Sequence, residues 1–186
     1  MSPDNTTQLV LALLGFALVA GAFAWSPYGR AVFAPVSVLA LAAAAVVAAV
    51  SDDLSDGRVE VTILVTLAGL LAAVGGGPVT TRIFAFVDRA DRDAQPLKQT
   101  LDQAGQVLRG GAWIGALERL AVFAGLAAGF PEGVAVVLAL KGVGRFPDLR
   151  SDGTTNGAAT ERFIIGTFTS VLWAAACAGI VALVRR

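Results

Sequence analysis

The chain has 186 residues, of which 56% are hydrophobic and 15% are charged, and its mean hydropathy is +0.73. This composition excludes an ordinary water-soluble domain, which contains about 45–50% apolar and about 25% charged residues. The 14 basic and 14 acidic side chains cancel, so the net charge gives no indication of a nucleic-acid partner.

The apolar residues occur in blocks close to the length of about 20 residues with which a helix crosses the hydrocarbon core of a membrane. We therefore predict a single all-α integral membrane domain over residues 1–186, a helical bundle with about six transmembrane helices. Its parts are three N-terminal spans in residues 1–77, an amphipathic connector in 78–110 and three C-terminal spans in 111–186.

The first three predicted spans are Leu9 to Trp25, Ala31 to Val50 and Val61 to Val74. No Lys or Arg precedes the first of them, which favours a retained helix over a cleaved export signal. The loop from Ser51 to Glu60 is expected to be a solvated acidic connector, because it lacks the glycine and the ligand spacing of an EF-hand. The segment Gly75-Gly76-Gly77-Pro78 indicates the end of the third span.

The long polar region from Thr80 to Gly110 has apolar residues at alternating steps of four and three, which predicts an amphipathic helix lying on the membrane or on the bundle. The apolar positions are Ile83, Val87, Ala90, Ala94, Leu97, Leu101, Ala104 and Leu108. Pro96 is expected to divide or kink this helix. Self-association through the same stripe is the alternative.

The last three predicted spans are Gly111 to Gly129, Pro131 to Phe146 and Thr160 to Val184. The middle one either crosses the membrane with its basic residues reaching outward or is re-entrant, because its uncharged part is short. Consecutive spans alternate in direction, so the start of the fourth, the end of the fifth and the start of the sixth lie at one face. The charged residues that converge there are Glu118, Arg119, Lys141, Arg145, Glu161 and Arg162.

This charged cluster is the candidate site. Adjacent residues point about 100° apart around a helix, so we expect ion pairs between helices, Glu118 with Arg162 or Lys141 and Glu161 with Arg119 or Arg145. One interpretation is that the network only fixes helix register. The other is that the surplus positive charge binds an anionic group such as a lipid phosphate or a small solute.

Catalysis and cofactors are not expected. The chain has no histidine, its one cysteine, Cys177, lies in the last apolar block, and it has no glycine-rich phosphate loop. We therefore predict no catalytic residue, no metal site and no cofactor.

Small residues spaced four apart predict where membrane helices approach closely. The candidate packing positions are Gly111, Gly115, Gly125, Gly129 and Gly166. The distribution of Arg and Lys over the loops favours an orientation with both termini outside, which places the charged cluster at the cytoplasmic face.

Three short motifs lie at the charged cluster: G-x-L-E-R at Gly115 to Arg119, K-x-x-x-R-F at Lys141 to Phe146, and E-R-F-I-I-G-T at Glu161 to Thr167. Their order resembles the C-terminal half of a group of uncharacterised bacterial inner-membrane proteins, over about a third of the chain. The resemblance implies a multi-pass protein of the bacterial cytoplasmic membrane and supplies no reaction. The positions that it marks are Glu118, Arg119, Lys141, Arg145, Glu161 and Gly166.

The leading hypothesis is a non-enzymatic membrane protein whose charged cluster stabilises the bundle, binds an anionic lipid or a partner, and supports a homo-oligomer. A small oligomeric channel or transporter is the alternative, with Thr62, Thr66, Thr167 and Thr169 as polar positions in its spans. Threonines in spans more often bond back to their own helix. A lipid-headgroup enzyme that uses Glu118 and Glu161 for acid–base chemistry is the third hypothesis.

Overall fold

The structure is a computed structural model that describes residues 3–51, 57–92, 109–150 and 156–185. The elements in these ranges are α-helices: α1 (Pro3–Phe23), α2 (Arg30–Val50), α3 (Arg58–Arg92), α4 (Arg109–Ala127), α5 (Glu132–Arg150) and α6 (Asn156–Val184). The prediction of an all-α class is confirmed. The acidic residues Asp52, Asp53 and Asp56, and the amphipathic stripe from Ala94 to Leu108, lie outside the described residues.

Among the described residues, four helices are long and apolar enough to cross a membrane, over Asn5–Phe23, Arg30–Val50, Arg58–Val87 and Thr160–Val184. Large apolar side chains on them are exposed, with 56% of Phe16 and 68% of Leu39 accessible. Exposed apolar surface of this kind is unfavourable in water and fits a hydrocarbon environment. These features are those of a membrane protein, whereas crossing by α4 and α5, which carry charges within their apolar sequence, stays a prediction.

The third helix is the centre of the packing. It contacts α1, α2, α4 and α6, whereas α5 packs chiefly against α4. Buried apolar side chains from α1, α3 and α6, among them Leu14, Leu71 and Ile180, form the core between these helices. Alanines such as Ala44 and Ala68 are also fully buried there, which lets the helix backbones approach closely.

The hairpin between α4 and α5 is closed by a glycine-dependent turn. Gly129 has a φ of 76°, a conformation that glycine adopts without a Cβ clash. The N–H of Phe130 donates to the carbonyl of Gly125 at 2.8 Å and the N–H of Gly129 to that of Leu126 at 3.1 Å, as in a Schellman motif. Gly129 therefore serves the turn and not helix packing. Gly125 does pack closely, since an added Cβ would lie 3.2 Å from the carbonyl oxygen of Phe130.

The predicted stop at Gly75-Gly76-Gly77-Pro78 is wrong, because α3 continues through it to Arg92. The amphipathic segment from Thr80 therefore begins as part of α3, and Ile83 is partly exposed on it. Pro78 has no N–H to donate to the carbonyl of Val74, four residues earlier. The indole Nε1–H of Trp25 donates to that oxygen instead, at 3.0 Å. Neighbouring helices can supply such missing donors within a membrane, so Gly and Pro end helices there less reliably than in water.

Trp25→Phe is expected to lower the free energy of unfolding by about 1 kcal/mol, because the Val74 carbonyl loses its substitute donor. In a Pro78→Ala background residue 78 supplies its own N–H, so the same tryptophan change is expected to cost less. Reversible unfolding of the four proteins in mixed micelles measures this coupling as a double-mutant cycle. An equal cost of Trp25→Phe in both backgrounds would contradict the substitution of one donor for the other.

Candidate anion-binding site

Four successive carbonyls of α3 accept hydrogen bonds from side chains of other elements. Trp173 Nε1 donates to Leu71 at 3.1 Å, and Trp25 Nε1 donates to Val74. Between them, Arg119 Nε donates to Ala72 at 3.1 Å and to Ala73 at 3.2 Å, and its Nη2 donates to Ala73 at 2.7 Å. We call these carbonyls, of residues 71 to 74, the acceptor row. It fixes three large side chains at one level of the molecule.

The three glycines that follow the acceptor row make room for these side chains. An added Cβ at Gly75 would lie under 3.0 Å from the Trp173 ring, and one at Gly76 would lie under 3.0 Å from both Arg119 and Trp173. At Gly77 it would lie 3.0 Å from the ring of Trp25. The three glycines, in the middle of α3, therefore let the side chains of Trp25, Arg119 and Trp173 pack directly against the helix backbone.

Arg119 is buried, with only 5% of its surface accessible. Besides its bonds to the acceptor row, its Nη1 donates to Ser170 Oγ on α6 at 3.3 Å. A guanidinium buried in this way requires hydrogen-bond partners, because the desolvation of a charge is costly. The carbonyls of α3 and the hydroxyl of Ser170 therefore hold Arg119 in a single position.

Glu118 and Lys141 form an ion pair between α4 and α5, and about a fifth of each side chain is accessible. This is one of the two partners that the sequence predicts for Glu118. The predicted pairing of Glu161 with Arg119 is wrong, because Arg119 donates to backbone carbonyls and to Ser170. The alternative, a pairing of Glu161 with Arg145, stays a prediction. Arg145 lies within α5, and its side chain is outside the described part of the chain.

A cavity of about 360 Å³ opens beside Arg119, near the first residues of α2 and α4, along the first half of α6 and beside the middle of α5. Four basic residues from four different helices line it: Arg30, Arg119, Lys141 and Arg162. The described residues of its lining include no Asp or Glu. We call it the basic cavity. Of the six charged residues that the sequence predicts to converge, Arg119, Lys141 and Arg162 line this cavity. Arg30, which was not predicted, lines it as well.

Hydroxyl groups and aromatic rings complete the wall of the basic cavity. The hydroxyl residues are Thr80, Thr81, Thr167 and Ser170, and the rings are those of Trp25, Phe84 and Phe163. Arg162 lies over the ring of Phe84, with its Cζ 5.8 Å from the ring centroid, a distance at which cation and ring attract. The lining therefore combines hydrogen-bond donors with apolar surface, as ligand-binding cavities commonly do.

The remaining predicted glycines lie at or near this cavity. Gly111, Gly115 and Gly166 line it. A Cβ at Gly115 would lie 3.2 Å from Arg119 Nη1, and one at Gly166 would lie 3.0 Å from Phe84. Gly166 thus packs against α3, whereas Gly115 leaves space for the arginine of its own helix.

Sequence reasoning missed several residues of the site: Trp25, Arg30, Gly75, Gly76, Gly77, Ser170 and Trp173. Two signals could have indicated some of them. A tryptophan within an apolar block, such as Trp173, needs an acceptor for its indole N–H. An arginine in a span, such as Arg119, needs acceptors as well, and glycines expose the carbonyls that can supply them.

The arrangement is suited to binding an oxyanion. Guanidinium and ammonium groups are the usual protein ligands of phosphate and carboxylate groups. In the described part of the chain, no group of three His, Cys, Asp or Glu residues is placed to hold a metal ion.

The fold and the site together define a helical protein that has, in the part of the chain that the structure describes, four helices long and apolar enough to cross a membrane and a cavity rich in basic side chains. Comparison with family models, with curated proteins and with solved structures finds no match in any of the three. The resemblance of the C-terminal motifs to bacterial inner-membrane proteins stays a prediction.

Proposed function

We propose that this chain is a non-enzymatic, multi-pass protein of a bacterial cytoplasmic membrane, with six spans, and that its basic cavity binds a phosphate-type anion. The observation that carries this proposal is the lining of the cavity, in which Arg30, Arg119, Lys141 and Arg162 meet without an acidic residue among the described ones. Guanidinium and ammonium groups attract an oxyanion, and Glu118, which pairs with Lys141, lies outside the lining.

The hydrogen bonds of Arg119 support binding at a fixed position. Its guanidinium is held by the acceptor row and by Ser170 before any ligand arrives. A binding group that is already ordered loses little conformational entropy on association, which favours affinity. Lys141 is oriented similarly by its ion pair with Glu118.

The level of the cavity along the helices supports a lipid headgroup as the source of the anion. Trp25 lines the cavity, and Tyr28, three residues further, is 94% exposed. Tyr and Trp are enriched at the membrane–water interface, where lipid phosphates also lie. A volume of about 360 Å³ lies within the range of about 300–1,000 Å³ that is typical of small-ligand sites.

Arg30→Gln and Arg162→Gln are expected to weaken binding of phosphatidylglycerol at least tenfold each, because a hydrogen bond to a charged group contributes about 1.5–3 kcal/mol. Native mass spectrometry of the purified protein, titrated with phosphatidylglycerol or with zwitterionic phosphatidylcholine, measures this. Titration with inorganic phosphate distinguishes a soluble anion from a lipid headgroup.

Arg82→Gln is the matched control, since Arg82 lies on α3 close to the cavity but is not part of its lining. It removes the same charge and is expected to leave binding unchanged within about twofold. A wild-type protein that binds phosphatidylcholine as tightly as phosphatidylglycerol, and does not bind phosphate, would refute the proposed function.

A further inference from the structure

Four threonines of α3 bond back to their own helix. The hydroxyls of Thr62, Thr66, Thr80 and Thr81 each donate to the carbonyl four residues earlier, at 2.7 to 3.0 Å. A threonine hydroxyl in a helix commonly satisfies itself in this way, independently of any ligand. These four positions show how a threonine hydroxyl is satisfied within its own helix in this protein, and Thr80 and Thr81 are satisfied in this way although they line the basic cavity.

Thr167 on α6 departs from this pattern. Its Oγ1 is buried and has no hydrogen-bond partner among the described residues, although the residue lines the basic cavity. Buried hydroxyls are nearly always bonded to protein or to a bound molecule, because leaving one unpaired is costly. The group that satisfies Thr167 is therefore to be sought within the cavity.

The neighbours of Thr167 indicate the chemistry of that group. Ser170 lies three residues further along α6, hence on the same side of the helix, and accepts a hydrogen bond from Arg119. Both Ser170 and Arg119 line the same cavity as Thr167. A ligand atom drawn to the guanidinium of Arg119 is negatively charged, and a hydroxyl beside it donates to such an atom.

We infer that the Thr167 hydroxyl contacts the ligand and donates a hydrogen bond to an oxygen of an oxyanion, of the phosphate type, held in the basic cavity. This inference rests on the proposed function and deepens it. It makes Thr167 a specificity-determining residue: the cavity recognises an anion by an oxygen acceptor as well as by charge.

Thr167→Val tests this assignment, because valine has nearly the shape of threonine and lacks the hydroxyl. The variant is expected to bind phosphatidylglycerol at least about tenfold more weakly than wild type. Thr167→Ser keeps the hydroxyl and is expected to retain affinity within about threefold. Thr66→Val, at a threonine outside the cavity that bonds back to its helix, is expected to leave affinity unchanged.

Thermal unfolding of the ligand-free variants separates a ligand contact from a structural role. Thr167→Val is expected to keep or raise the midpoint of unfolding, since it removes an unpaired hydroxyl. A lowered midpoint with unchanged affinity would show that the hydroxyl stabilises the fold, and would overturn the inference.

The binding titration keeps the two proposals apart. If wild type prefers phosphatidylglycerol over phosphatidylcholine and Thr167→Val binds it equally well, the assignment of Thr167 is overturned and the proposed function stands. If wild type shows neither that preference nor affinity for inorganic phosphate, both proposals fail.

Discussion

Gly76→Ala is expected to lower the free energy of unfolding by about 1–3 kcal/mol, although alanine is the better helix former. The new Cβ would lie under 3.0 Å from Arg119 Cδ and Nε and from Trp173 Cδ1. Trp173 is a rigid ring whose N–H is bonded to Leu71, and Arg119 is bonded to Ala72 and Ala73, so neither can move without losing a hydrogen bond. Equilibrium unfolding in mixed micelles measures the loss.

Gly15→Ala is the matched control for this prediction. Gly15 lies within α1, and a Cβ added there would meet no atom within 4 Å. Its replacement is expected to be neutral or to stabilise by about 0.5–1 kcal/mol, the usual gain of Gly→Ala inside a helix. If Gly76→Ala behaved like Gly15→Ala, the close approach of Arg119 and Trp173 to the helix backbone would be refuted.

Arg119→Lys is expected to destabilise the protein by about 2 kcal/mol even though it conserves the charge. The planar guanidinium donates to two carbonyls of α3 and to Ser170 at once. A lysine ammonium concentrates its donors at one point and cannot reach all three acceptors. Arg119→Met is expected to cost about 3 kcal/mol, since the loss of the hydrogen bonds is only partly offset by the removal of a buried charge.

Arg82→Lys serves as control for the conservative change, because Arg82 on α3 is only partly buried and lies outside the lining of the basic cavity. It is expected to shift the free energy of unfolding by less than about 0.5 kcal/mol. Full stability of Arg119→Lys would mean that charge alone matters at this position, which would contradict the role assigned to the guanidinium geometry.

Helix positions followed from the sequence because apolar block length is a strong signal. The second predicted helix, Ala31 to Val50, differs from α2 by a single residue. Alternating direction also predicted that Arg119, Lys141 and Arg162 converge, and the three do line one cavity. This step needed only the order and length of the blocks, so it was independent of side-chain detail.

The partners of these residues could not be derived in the same way. Arg119 was expected to pair with a carboxylate, as charges in spans often do, whereas it donates to backbone carbonyls. That choice depends on how close α4 comes to α3, which is decided by Gly76. The role of Gly76 in turn depends on whether Gly-Gly-Gly-Pro ends a helix or is packed inside one. The local sequence favours the end of a helix, whereas it takes contacts with other helices to pack this segment inside one.

The acceptor row also bears on how the protein is assembled during synthesis. The donors Arg119 and Trp173 follow Ala72 by 47 and Leu71 by 102 residues, whereas Trp25 precedes Val74 by 49. When α3 leaves the ribosome, only Trp25 is already available to it, and the glycines at 75 to 77 face no side chains from α4 or α6. The contacts of the middle of α3 therefore form in stages during translation, first with Arg119 and then with Trp173. A chain interrupted before α6 would lack the indole donor to the Leu71 carbonyl.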